Sequence, residues 1–77
     1  MKLVNNNYYD EIKNESIKEK GFKLLFKKDN FSIEECFFNN KSFYFLIYIT
    51  NMNYMLPFLI NDFEKEKILK TKSLNNL

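Results

Sequence analysis

"FFNNKSFYFLIYIT", residues 37–50, decides the fold, because the connection inside it sets which side chains share a face of the sheet. From Ser42 to Thr50 β-branched and aromatic residues dominate, which favours a strand over a helix. Side chains alternate between faces along a strand, so one residue more or less in the connection exchanges the two rows. A three-residue loop, Asn39-Asn40-Lys41, sets Phe43, Phe45, Ile47 and Ile49 on the apolar face of the preceding strand. A two- or four-residue loop sets them opposite Ser32 and Glu34 instead. The three-residue loop is the expectation, since it gathers the apolar rows together.

Upstream, "FKLLFKKDNFSIEECFF", residues 22–38, alternates Phe22, Leu24 and Phe26 with Lys23 and Lys27. Asp29-Asn30 suits a two-residue hairpin turn, as both residues tolerate positive φ. Pairing Lys28 with Phe31 then puts Phe31, Ile33 and Phe37 on the face of Phe22, Leu24 and Phe26. Before this hairpin, "NNNYYDEIKNESIKEKGF", residues 5–22, reads as a helix capped by Asn7. Asp10 and Glu11 fall in its first turn, Lys18 and Lys20 in its last, and Gly21 is the left-handed stop. Tyr8, Tyr9, Ile12 and Ile17 form a thin apolar stripe.

Downstream, no residue between Lys41 and Asp62 is charged. A membrane-spanning helix needs about 20 predominantly apolar residues. Here Thr50, Asn51 and Asn53 separate two apolar runs and Pro57 interrupts the second, so a span is not expected. A second helix follows, starting either with Pro57 in its first turn or with Asn61 as cap and Glu64 three residues later. Leu59, Ile60 and Phe63 share its face, from which Ile68 and Leu69 drift. The expected architecture is one small α+β domain over residues 1–77: helix, three-stranded antiparallel meander, helix. Residues 1–6 and 73–77 are expected to fray.

Composition bounds the function. The 77 residues include nine Phe and five Tyr but no His, Arg, Ala, Gln or Trp. The abundant Lys, Asn, Ile, Phe and Tyr have A/T-rich codons, the mark of an AT-rich genome. A net charge of +2 is too small for strong attraction to nucleic acid or anionic lipid. The lone Cys36 has no disulfide partner within the chain, and "MKLVNNNYYDE" has no signal-peptide core, so a reducing, cytoplasmic setting is expected.

Catalytic chemistry finds little purchase. Without His, triads, imidazole metal sites and the usual base near neutral pH are missing. Cys36 sits mid-strand as a small packing residue, and Glu34 and Glu35, adjacent on a strand, point to opposite faces. Asp62 and Glu66 lie one helical turn apart and read as a solvated face rather than a metal site. No enzymatic activity, cofactor or metal is expected.

In layout, "IKEKGFKLLFKKDNFSIEEC", followed by a third strand and a helix, resembles the HicA-type mRNA interferase toxins. Their helix ends in a Gly-aromatic pair, here Gly21-Phe22, and leads into three strands and a helix. The resemblance implies a fold like double-stranded-RNA-binding domains. That family's catalytic His belongs on the second strand, where this chain has Ser32 to Phe38, so the activity does not carry over.

With these registers the second face of the sheet carries Lys23, Lys27, Glu34, Phe38, Tyr44, Leu46 and Tyr48. If both helices cover the other face, this one is an open aromatic surface rimmed by Lys and Glu, suited to protein recognition. If one helix covers it, the domain has three layers. The expected function is stoichiometric binding of a larger protein or nucleoprotein complex, as in a phage or mobile-element inhibitor of a host defence nuclease, an anti-CRISPR-like role. Self-association through this face or a sheet edge is a further outcome. The alternative is a small module binding RNA or single-stranded DNA through rings interleaved with lysines.

Overall fold

The computed structural model describes residues 1–75. The chain enters as a short strand, β1 (Lys2–Leu3), and turns directly into helix α1 (Asn6–Glu19). The Val4 amide still donates to the Pro57 carbonyl, so the helix can begin only after it. Asn5 therefore caps α1, its side chain accepting from the Tyr8 amide at 2.7 Å, two residues before the expected Asn7. That shift moves Asp10 and Glu11 out of the first turn, which carries no acid. The expected fraying of residues 1–6 is likewise replaced by pairing, capping and a contact from the Met1 amine to the Glu64 carboxylate. Gly21, at φ 79°, stops the helix as expected.

Four longer strands follow: β2 (Phe22–Lys28), β3 (Phe31–Phe38), β4 (Lys41–Ile49) and β5 (Met55–Ile60). Helix α2 (Asp62–Thr71) closes the described fold. The sheet is antiparallel throughout, in the order β1-β5-β4-β3-β2. The fold is thus α+β, with five strands where a three-stranded meander was expected, which also departs from the interferase layout.

The Lys28–Phe31 pairing forms as read, though neither Asp29 nor Asn30 takes the positive φ on which that reading rested, and two registers differ. Asn39 and Asn40 both take positive φ, 52° and 60°, making a two-residue turn that pairs Phe38 with Lys41. Phe43, Phe45 and Ile47 consequently lie with Glu34, Cys36 and Phe38, while Tyr44, Leu46 and Tyr48 lie with Phe31 and Ile33. In β2 a bulge at Leu25 opposes Phe26 to Ile33 but Leu24 to Glu34. Phe22 and Leu24 are thereby turned to the opposite face from Phe26.

Both faces are covered. Tyr9 and Ile12 of α1 pack with Cys36, Phe45 and Ile47, and Ile68 of α2 packs with Phe31, Ile33, Leu46 and Ile60. The architecture is three layers, helix–sheet–helix, and no single open face exists. Lys13 and Ser16 complete the inward stripe of α1, whereas Tyr8 and Ile17 are exposed. Ser16 is fully buried and works as a clasp: its Oγ donates to the Gly21 carbonyl and accepts from the Phe37 amide, each at 2.7 Å.

β5 contains Pro57, buried and opposite Ile47. Its carbonyl, accepting from Val4, points to the β1 side, so its missing donor also points there, beyond the two residues of β1. Pro57 therefore breaks no bond to β4. Helix α2 uses the second of the two expected starts, a capping box between Asn61 and Glu64. Leu59 and Ile60 belong to β5 rather than to this helix, Phe63 is exposed, and Ile68 is its one fully buried residue. Leu74 packs on the core, and residues 76–77 of the expected frayed tail lie outside the described residues.

The Asn39-Asn40 turn gives a direct test of register. Glycine fits the second turn position without strain, so Asn40→Gly raises the thermal midpoint by about 2–4 °C, whereas β-branched Asn40→Val lowers it by about 5 °C or more. Equal midpoints for the two variants in thermal denaturation would contradict the turn.

Candidate interaction surface

Beneath α1, the Tyr9 hydroxyl donates to Glu34 Oε1 at 2.6 Å, and Lys13 Nζ reaches Glu34 Oε2 at 3.2 Å and the Tyr9 hydroxyl at 2.9 Å. Burial, then the hydrogen bond to Glu34, hold the Tyr9 phenol well above its usual range. Burial also pushes the neighbouring Cys36 thiol up to about 11, with the Glu34 charge adding and Lys13 opposing. A thiol held protonated and fully buried is a poor nucleophile. This triad reads as a structural tie between α1 and β3.

The sequence-read contact residues are distributed as follows. Leu46 is buried under α2 and Glu34 under α1, out of reach of any partner of the folded domain. Tyr44 and Tyr48 are half-buried on the α2 face, and Phe38 is half-buried on the α1 face. The Tyr44 hydroxyl donates to Glu35, and Lys65 Nζ lies 4.3 Å from its ring centroid. Lys23 and Lys27 are exposed on β2. The expected single surface is therefore divided between two layers, for the register reason given above. Asp62 and Glu66 flank the Lys65 amine, at 3.6 and 2.9 Å, which places a cation of the chain's own between them. The hydrogen bond from Lys65 to Glu66 holds that amine above the usual lysine range.

One accessible region is the β2 border. β2 ends the sheet, with no strand on its outer side among the described residues. α1 lies mainly over β3, leaving Phe22 and Leu24 at 39% and 54% exposure. Lys13 Nζ sits 4.2 Å from the Phe22 ring centroid, and Ile17, one turn further along α1, is 52% exposed. Around the corner, Lys20 and Lys23 lie within 6 Å of the half-buried Phe37 ring. Lys20, Lys23, Lys27 and Lys28 form no ion pair among the described residues.

Of the expected contact residues Lys23 and Lys27 lie on this border, whereas Ile17, Phe22 and Leu24 were expected on interior faces and are exposed. The bulge that turns Phe22 and Leu24 has no local signature. Other exposed apolar groups lie apart: Met1, Leu3 and Tyr8 at the amino-terminal end, Ile49, Met52 and Tyr54 at the β4–β5 tip, and Phe63 beside Lys67 on α2. No helix among the described residues is long and apolar enough to cross a membrane. Comparison with protein-family models, with curated proteins and with solved structures found no match to this chain.

Proposed function

We propose that this chain is a non-enzymatic binding protein that acts by stoichiometric contact with a larger protein, through the border formed by Ile17, Phe22, Lys23, Leu24 and Lys27. The observation that carries the reading is the set of large apolar side chains left exposed beside a free strand edge, in a domain whose two apolar layers are otherwise covered. Apolar groups ringed by lysines match the usual organisation of a recognition patch, an apolar centre with a charged rim. The AT-rich codon signature favours an inhibitor carried by a phage or mobile element as the form of this role.

The test is capture with the tagged full chain from nuclease-treated lysates of low-GC bacteria, against the Ile17→Ser/Leu24→Ser variant. Both side chains are more than half exposed, so the variant keeps the wild-type fold and thermal midpoint. One protein recovered in near-equal amount with the wild type and reduced about tenfold with the variant supports the reading. Equal recovery with both chains overturns it. Capture that vanishes on nuclease treatment replaces it with the nucleic-acid module.

A further inference from the structure

We infer that the open edge of β2 takes up an extended acidic segment of the partner as an added strand, a claim that rests on the function proposed above. An outermost strand presents an N–H and a C=O outward at every second residue, and a chain laid alongside satisfies them. β2 is seven residues long, enough for such a ladder. Its outer side is not occupied by β1, which lies at the far edge of the sheet.

Charge selects the occupant. β2 carries Lys23, Lys27 and Lys28 with no acid, and Lys20 stands just before it. One acid faces this edge from the neighbouring strand: Glu35 stands directly opposite Lys23 and offsets it. Glu34 is tied to Tyr9 and Lys13 under α1, and Lys27 and Lys28 face Ser32 and Phe31, with no acid opposite them. Glu19 and Asp29 lie beyond the two ends of the strand. A second copy of the chain would bring three lysines against three lysines, since charges opposite one another on neighbouring strands repel. The same lysines that discourage self-pairing become favourable contacts for a strand bearing carboxylates.

The bulge adds a pattern. Around residues 22–24, Phe22 and Leu24 lie on the α1 face and Lys23 on the α2 face. Along residues 22–24 an added strand therefore meets apolar groups on one side and lysine on the other, which alternating β-branched and acidic residues satisfy. Past the bulge Lys27 stands on the α1 face, opposite Ser32, so a carboxylate is matched to that side there.

The probe is a capped eight-residue peptide alternating Glu and Val, added to the ¹⁵N-labelled full chain, with a Lys/Val peptide and a thymidine oligonucleotide as controls. The acidic peptide is expected to give alternate β2 amides new protection from hydrogen exchange, while the basic peptide leaves them unchanged. Lys23→Glu/Lys27→Glu weakens the acidic peptide about tenfold and admits the basic one. Millimolar acidic peptide without protection on β2, or unchanged affinity after the charge reversal, overturns strand addition. An oligonucleotide that protects the same amides more strongly also overturns it. If the peptide fails while the Ile17→Ser/Leu24→Ser pair still abolishes protein capture, the surface stands and the added strand falls. If that pair leaves capture intact, the proposed function itself falls.

Discussion

Replacing Phe45 by alanine is expected to cost about 3–5 kcal/mol, the range for deleting a fully enclosed ring. A chain of this length has a total stability of roughly 4–12 kcal/mol at the usual value per residue. The thermal midpoint should therefore fall by about 15 °C or more. Phe45 is fully buried against α1, and the Tyr9 ring meets it edge-on at 5.1 Å and 81°. A double-mutant cycle should assign about 0.5–1.5 kcal/mol of coupling to this pair and none to Phe45 with Ile33, which faces the other helix. The internal control is Phe63→Ala, which removes an equally large ring at 74% exposure and should change stability by less than about 0.5 kcal/mol. Urea denaturation of Phe45→Ala, Phe63→Ala and the cycle variants decides the matter. Similar losses for Phe45→Ala and Phe63→Ala would refute the layer assignment.

The second large effect concerns the charged tie beneath α1. Lys13→Met leaves the Glu34 carboxylate buried with only the Tyr9 hydroxyl as partner, at an expected cost of about 2 kcal/mol. The figure lies below that of a wholly enclosed pair because Lys13 keeps a quarter of its surface in water. Lys13→Met/Glu34→Gln removes the orphaned charge and is expected to recover stability to within about 1 kcal/mol of wild type. A double variant as unstable as Lys13→Met would show that packing, not charge, was lost.

The same region sets an alkaline limit. The Cys36 thiol is raised to about 11, and the Tyr9 phenol is raised as well, so the unfolded chain gives up these protons at lower pH than the folded one. Where the unfolded chain binds fewer protons, unfolding becomes easier as pH rises. The contribution of Cys36 is thus intact below the thiol's ordinary pKa and declines as pH climbs from there toward 11. Cys36→Ala should flatten the first part of that decline, measured as midpoint against pH.

Much of the secondary structure was legible because it rests on local chemistry. Gly21 as a stop, Asp29-Asn30 as a turn and the Asn61/Glu64 pair each leave a signature within four residues. The start of α1 was not legible, since Asn5, Asn6 and Asn7 are equal candidates until β1 holds Val4. β5 was missed because Pro57 argues against a strand unless its neighbour is known to be two residues long. The face assignment failed for a more general reason. With apolar groups on both sides of β4, alternation carries no information about which row is interior, so only the Asn39-Asn40 turn decides. A continuous apolar run from Phe43 to Ile49 is itself the sign of a strand enclosed on both sides. The divided contact set follows from that one register, while the border at β2 depends on a bulge that no short motif announces.

The two apolar layers share no residue, one lying under each helix. α2 has one enclosed side chain, Ile68, with Leu69 and Leu74 beside it and outer ties from Met1 to Glu64, from Lys65 to the Tyr44 ring and from Lys28 to the Lys72 carbonyl, whereas α1 has Tyr9, Ile12, the Glu34 tie and the Ser16 clasp. With fewer enclosed side chains holding it, α2 is expected to exchange its amide hydrogens sooner than α1, which hydrogen-exchange NMR reads residue by residue.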